Sequence, residues 1–133
     1  MIVADTSTWI EHLRDTDHPA GRALDGLFRR NVEVAVTEIV VMELLGGVRP
    51  GPSLEELRSR LLSLPMLPLE GLADFEHAAF LFQSCRLGGE TLSAMTDCLI
   101  AVPAIRAGDE IHHNDRDIDA IARHSALRVY RGR

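Results

Sequence analysis

Five acids stand where a chain would place them to hold a cation. Asp5 follows directly on the apolar segment Ile2-Val3-Ala4, and Asp115 follows directly on the segment around Ile111. If both segments are strands of one parallel sheet, both carboxylates leave the same edge of that sheet and can meet. Glu43 lies in Ile39-Val40-Val41-Met42-Glu43-Leu44-Leu45, where a carboxylate among apolar neighbours would be costly to bury without a partner, and a cation is such a partner. Asp97 opens a helical segment whose continuation, Cys98-Leu99-Ile100-Ala101-Val102, is wholly apolar, so its carboxylate should face the interior or a cleft. Asp117 falls in the first turn of the helix after Asp115, and Asp119 should face solvent. Each acid also has a plain structural explanation, as a helix cap or a first-turn acid. Glu38 is read that way: five residues from Glu43 is roughly 140° around a helix, so the two cannot serve one site on one face.

Hard oxygen donors without a Cys or clustered-His set suit Mg²⁺ or Mn²⁺ rather than zinc. Such ions act on phosphodiesters by activating water and neutralising charge on the leaving oxygen. Glu43 or Asp115 could accept the proton of that water, and the residues do not decide between them. The six histidines show no zinc spacing, and adjacent His112 and His113 would point to opposite faces of a strand, so neither is assigned a catalytic role.

Elements that could position these acids follow from periodicity and punctuation. Strands are expected at 2–4, 32–36, 110–113 and 127–130, with a short edge strand in the proline-interrupted 65–69. Helices are expected after Asp5 through Leu13, at 20–30, at 39–45 behind a Thr37 cap, from a Ser53 cap to about Leu62, at 72–87, at 93–107 through Pro103, and at 117–124. Strands alternating with long crossovers imply an α/β fold with a short, mostly parallel central sheet flanked by helices, whose functional crevice lies beyond the C-terminal strand ends.

The 133 residues suit one domain, 1–133, with a core built from Leu, Ile, Val and Ala because aromatics are only 5%. Cys85 and Cys98 are too few for a disulfide framework and read as buried thiols. Trp9 reads as core or interface, and the arginine-containing end 128–133 as a solvated tail or an RNA contact. No apolar run is long enough to span a bilayer, so a cytoplasmic protein without membrane contact is expected. The net charge of −6 argues against a nucleic-acid ligand unless a bound cation supplies the counter-charge. All 14 basic residues are arginine. Without lysine, neither a P-loop nucleotide hydrolase nor a phosphate-receiving regulator fits, and Ser7 stands where a haloacid-dehalogenase-like phosphatase needs a second acid.

In four pieces the chain resembles PIN-domain ribonucleases of the VapC toxin family: Val3-Ala4-Asp5-Thr6-Ser7-Thr8-Trp9-Ile10, Met42-Glu43-Leu44-Leu45-Gly46-Gly47, Thr96-Asp97-Cys98-Leu99-Ile100-Ala101 and His113-Asn114-Asp115-Arg116-Asp117. That resemblance implies a PIN-like fold and the toxin of a type II toxin–antitoxin pair, a Mg²⁺- or Mn²⁺-dependent endoribonuclease. Its metal ligands would be Asp5, Glu43, Asp97 and Asp115, with Asp5 and Asp97 the firmest. Asp117 would be a fifth catalytic member, and Thr6 or Ser7 a hydroxyl contact. It further implies RNA, tRNA among the candidates, as substrate, a homodimer, and a small antitoxin that sets an arginine among the carboxylates. The sequence departs from the family at Pro103 and Ile118, which bear on packing. The alternative is a non-cleaving metal-binding regulatory or RNA-binding partner protein.

Overall fold

A computed structural model describes residues 1–14 and 17–132. The elements run β1 Ile2–Ala4, α1 Thr6–Leu13, α2 Pro19–Arg29, β2 Val34–Thr37, α3 Glu38–Gly46, α4 Pro52–Leu62, β3 Met66–Leu67, α5 Leu72–Leu87, α6 Thr96–Ala107, β4 Glu110–His112, α7 Arg116–Arg123 and β5 Arg128–Val129. The five strands lie in the order β3-β2-β1-β4-β5, and every pairing is parallel. Register sets Ala4 beside His112 and Val3 beside Ala35.

That order is dictated by what the strands can bury. β1 is buried at every residue and so takes the centre, while two-residue β3 and β5 close the edges. From β1 the chain winds outward to β2 and β3, then returns past β1 to β4 and β5. With right-handed crossovers, winding in opposite directions puts the two sets of helices on opposite faces of the sheet. The helix contacts fit this for the most part: α1 packs on α2 and α3, α3 on α4, and α5 on α6 and α7, while α3 and α6 also meet. Trp9, Leu24, Val36, Val40, Ile100, Ile111 and Ile118 are fully buried among these layers.

Several boundaries differ from the sequence reading for local reasons. α4 begins at Pro52 behind Gly51, one turn position before Ser53, because proline's fixed φ suits the first helical residue. Thr37 takes the cap position of α3, yet its hydroxyl is buried with no hydrogen-bond partner among the described residues. α6 begins at Thr96 and not at Ser93, whose backbone N–H is held by Asp117 at 2.9 Å and so is kept out of the helix. The helix then runs on through Pro103 and ends at Gly108, whose φ of 69° is left-handed. Arg128–Val129 is a strand and Tyr130 is buried, so of the described residues beyond them only Arg131 and Gly132 are exposed. Both cysteines are buried and free, as expected.

Candidate metal centre and active site

The winding direction reverses between β1 and β4, the point of an open parallel sheet where a crevice forms beyond the strand ends. Asp5 leaves β1 there and Asp115 follows β4. Each also caps the next helix: Asp5 accepts from the Ser7 N–H at 3.1 Å, and Asp115 from the Asp117 N–H at 2.9 Å. The capping explanation therefore holds at both positions and is compatible with the functional one, because a cap uses one carboxylate oxygen and leaves the other.

At Asp5 the division is sharp. Its Oδ2 accepts both the Ser7 N–H and the Ser7 hydroxyl, the latter at 2.5 Å, while its Oδ1 is buried with no partner among the described residues. A buried, unpaired carboxylate oxygen is expensive, and it is the donor a cation would satisfy. Ser7 Oγ in turn accepts the Asn114 N–H at 2.8 Å, tying the start of α1 to the loop that carries Asp115.

Carboxylate oxygens of Asp97, Asp115 and Asp117 lie within 4.8 Å of one another. The tightest group thus includes Asp117, expected as a catalytic residue but not as a ligand, and Asp5 flanks it. One Asp117 oxygen accepts the Ser93 N–H, which orients its carboxylate toward the other two. No lysine exists to neutralise this group, and the acids act on one another. The Asp97 carboxyl is pushed up from 3.8 to about 7 by burial first, then by the charges of Asp115, Asp5, Asp117 and Glu43. Asp5 is also raised, by burial above all, against the lowering effect of its Ser7 bonds. Like charges held this close would be relieved by a counter-ion, and an all-oxygen donor set would suit a hard divalent cation.

Glu43 departs from its expected environment: it is exposed rather than buried. α3 lacks a single apolar stripe, so surrounding apolar residues did not bury it; Val40 and Leu44 turn inward while Met42 and Glu43 turn out. Glu43 nonetheless faces the crevice, accepting the Thr6 hydroxyl at 2.8 Å and adding its charge to Asp97. Glu38 is elsewhere, accepting the Leu69 N–H at the end of β3.

Two residues outside the expected set support the site. His113 Nδ1 accepts the Asp115 N–H at 3.0 Å, which leaves Nε2 to donate to Asp119 Oδ1 at 3.1 Å. Asp119 is half-buried by this bond and by Arg131, instead of facing solvent. Nothing in the spacing of His113 announces this role, since it depends on the turn after β4. His112 points the other way, packing edge-on to Tyr130 and bonded to the Ala20 carbonyl at 3.2 Å; burial lowers its pKa and keeps it neutral.

A family profile described as PIN domain matches residues 2–124. Two relatives, VapC ribonuclease Mb1587 of Mycobacterium bovis and Ribonuclease VapC11 of Mycobacterium tuberculosis, are each 36% identical over 130 residues, covering 97% of this chain and 97% of theirs. Among solved structures, VapBC2 from Rickettsia felis bound to a DNA fragment from its promoter is similar at a TM-score of 0.70 and 23% identity, covering 98% of both chains. FitAcB from Neisseria gonorrhoeae gives 0.72 and 22%, covering 98% of this chain and 96% of the other. At these identities the structures share the fold.

Proposed function

This chain belongs to the PIN-domain family, among the VapC ribonucleases, and on that premise we propose that it is the toxin of a type II toxin–antitoxin pair, an endoribonuclease dependent on Mg²⁺ or Mn²⁺. The observation that carries the metal site is the convergence of Asp97, Asp115 and Asp117 beside the unpaired Oδ1 of Asp5. Asp5, Asp97 and Asp115 would hold the cation, Asp117 would close the group, and Glu43 would reach it from α3, where Thr6 is its hydroxyl partner. A divalent ion there supplies positive charge against the scissile phosphate and lowers the pKa of the attacking water. The chain's own part is positional: Ser7 and His113 fix the two strand-end acids, and the crossover of β1 and β4 sets their separation. Asp115 and Glu43 are the bases within reach of the crevice mouth.

The partner is a small antitoxin, a reading supported by the likeness of this chain's fold to a chain of the Rickettsia felis VapBC2 structure. Its inhibitory group is an arginine entering the carboxylates, which gains from the charge that otherwise holds the cation. A homodimer would cover the exposed Leu72, Phe75, Phe80 and Leu87 of α5. No helix among the described residues is long and apolar enough to cross a membrane. The test is cleavage of structured RNA, tRNA first, with Mg²⁺ or Mn²⁺ against chelator, comparing wild type with Asp97→Asn. Cleavage that survives chelation, or that Asp97→Asn leaves intact, overturns the assignment.

A further inference from the structure

Beside the acidic crevice lies a second cleft, of about 460 Å³, in the size range of pockets that take a small-molecule-sized group. Asp115 lines this cleft and belongs to the acidic group, so the two adjoin at that residue. Their chemistry differs. The cleft carries Arg116 and Arg131, both exposed at its rim, and has the edge-to-face pair of His112 and Tyr130 at its floor. Arg30 donates to the Tyr130 hydroxyl at 3.3 Å and holds that ring in place. Arg131 lies 3.5 Å from Asp119, a loose pair on a side chain that is 75% exposed, and Arg116 meets no carboxylate among the described residues. In a chain of net charge −6, two exposed arginines against Asp115 and Asp119, over an aromatic floor, make this cleft balanced in charge beside a cluster made of acids alone.

Resting on the ribonuclease reading above, we propose that this cleft binds the nucleotide adjoining the scissile phosphate. Arg116 and Arg131 take the neighbouring backbone phosphate while the base settles against the Tyr130 floor. An RNA strand fits both halves at once, since its scissile phosphate needs the cation of the acidic half and its next phosphate needs arginine. An acidic peptide would meet the same arginines but be repelled by the carboxylates alongside. Asp119, held by His113 and Arg131, is placed to accept from an exocyclic amine of the base, and so to contribute sequence preference.

The test is binding, with Ca²⁺ filling the acidic half in place of Mg²⁺ or Mn²⁺, and a denaturing gel run alongside checks that the strand stays uncut. A labelled single-stranded RNA of roughly 12 nucleotides is titrated by fluorescence anisotropy at increasing salt against wild type and Arg116→Ala/Arg131→Ala. The control is Arg49→Ala/Arg58→Ala, which removes the same charge from the α3–α4 turn and α4. The cleft variant should bind about tenfold more weakly, and the slope of log affinity against log salt should fall by about 0.7, for the one phosphate that the two arginines neutralise on a single strand. The control should keep the wild-type slope. Equal losses in both variants, an unchanged cleft variant, no binding by wild type, or equally tight binding of a polyglutamate peptide would each overturn the proposal. The ribonuclease reading fails separately: RNA that binds with the expected slope change but is never cut with Mg²⁺ or Mn²⁺ sinks that reading and leaves the cleft as a nucleotide-binding site.

Discussion

Asp97→Asn should stabilise the cation-free protein. The folded carboxyl sits at about 7 against an ordinary 3.8, chiefly through burial and then through four neighbouring acids. A carboxyl whose folded pKa is raised holds its proton more tightly in the native state, so its stabilising effect is full below about pH 4 and is lost as pH rises through about 7. The gap of about 3 pH units corresponds to a ceiling of about 4 kcal/mol. Half-burial and solvent screening reduce this to about 2 kcal/mol. The asparagine keeps the shape without the charge, so at about pH 8 in chelator it should be more stable by about that amount, or roughly 6–10 °C in Tm. At about pH 3.5 the advantage should shrink to under about 0.5 kcal/mol, because wild-type Asp97 is then largely protonated in both the native and the unfolded state. Added Mn²⁺ should raise the Tm of wild type and leave the variant nearly unmoved. Urea and thermal melts at both pH values read all three outcomes. A variant no more stable than wild type at about pH 8, or an advantage independent of pH, would refute the claim that the acids repel one another across one site.

Ser7→Ala removes the hydroxyl that joins Asp5 to the Asn114 N–H, so it should cost about 1 kcal/mol in urea melts and slow single-turnover RNA cleavage about tenfold as Asp115 loosens; neither change appearing would mean the bridge is incidental. Gly88→Ala would place a Cβ 2.2 Å from His124 Cε1, forcing the ring off Glu90, and should destabilise by about 1–3 kcal/mol, whereas an unchanged melting curve would mean that α5 and α7 part without cost. If antitoxin arginine and cation share the carboxylates, raising Mg²⁺ should weaken inhibition in a cleavage assay, and inhibition insensitive to Mg²⁺ would point to steric blocking of RNA instead.

Local chemistry was legible without coordinates. Strand-to-helix junctions, cap acids and the apolar run after Asp97 follow from side-chain periodicity and from what a helix terminus demands, and these are properties of neighbours in sequence. The choice of Asp5, Asp97 and Asp115 rested on such signals, and the parallel α/β fold on the long crossovers between strands. Tertiary structure decided what depends on distant partners. Asp117 joined the tight acidic group because its carboxylate is oriented by the Ser93 N–H, from a loop 24 residues away. Glu43 turned outward because the packing of α3 selected Val40 and Leu44 as its inner face, a choice that an almost uniformly apolar helix leaves open. The central place of β1 beside β4 brings residues more than a hundred positions apart within one hydrogen bond, as Ser7 and Asn114 show. Strand order is set by which edges can be buried together, and burial is a property of the assembled sheet rather than of any segment within it.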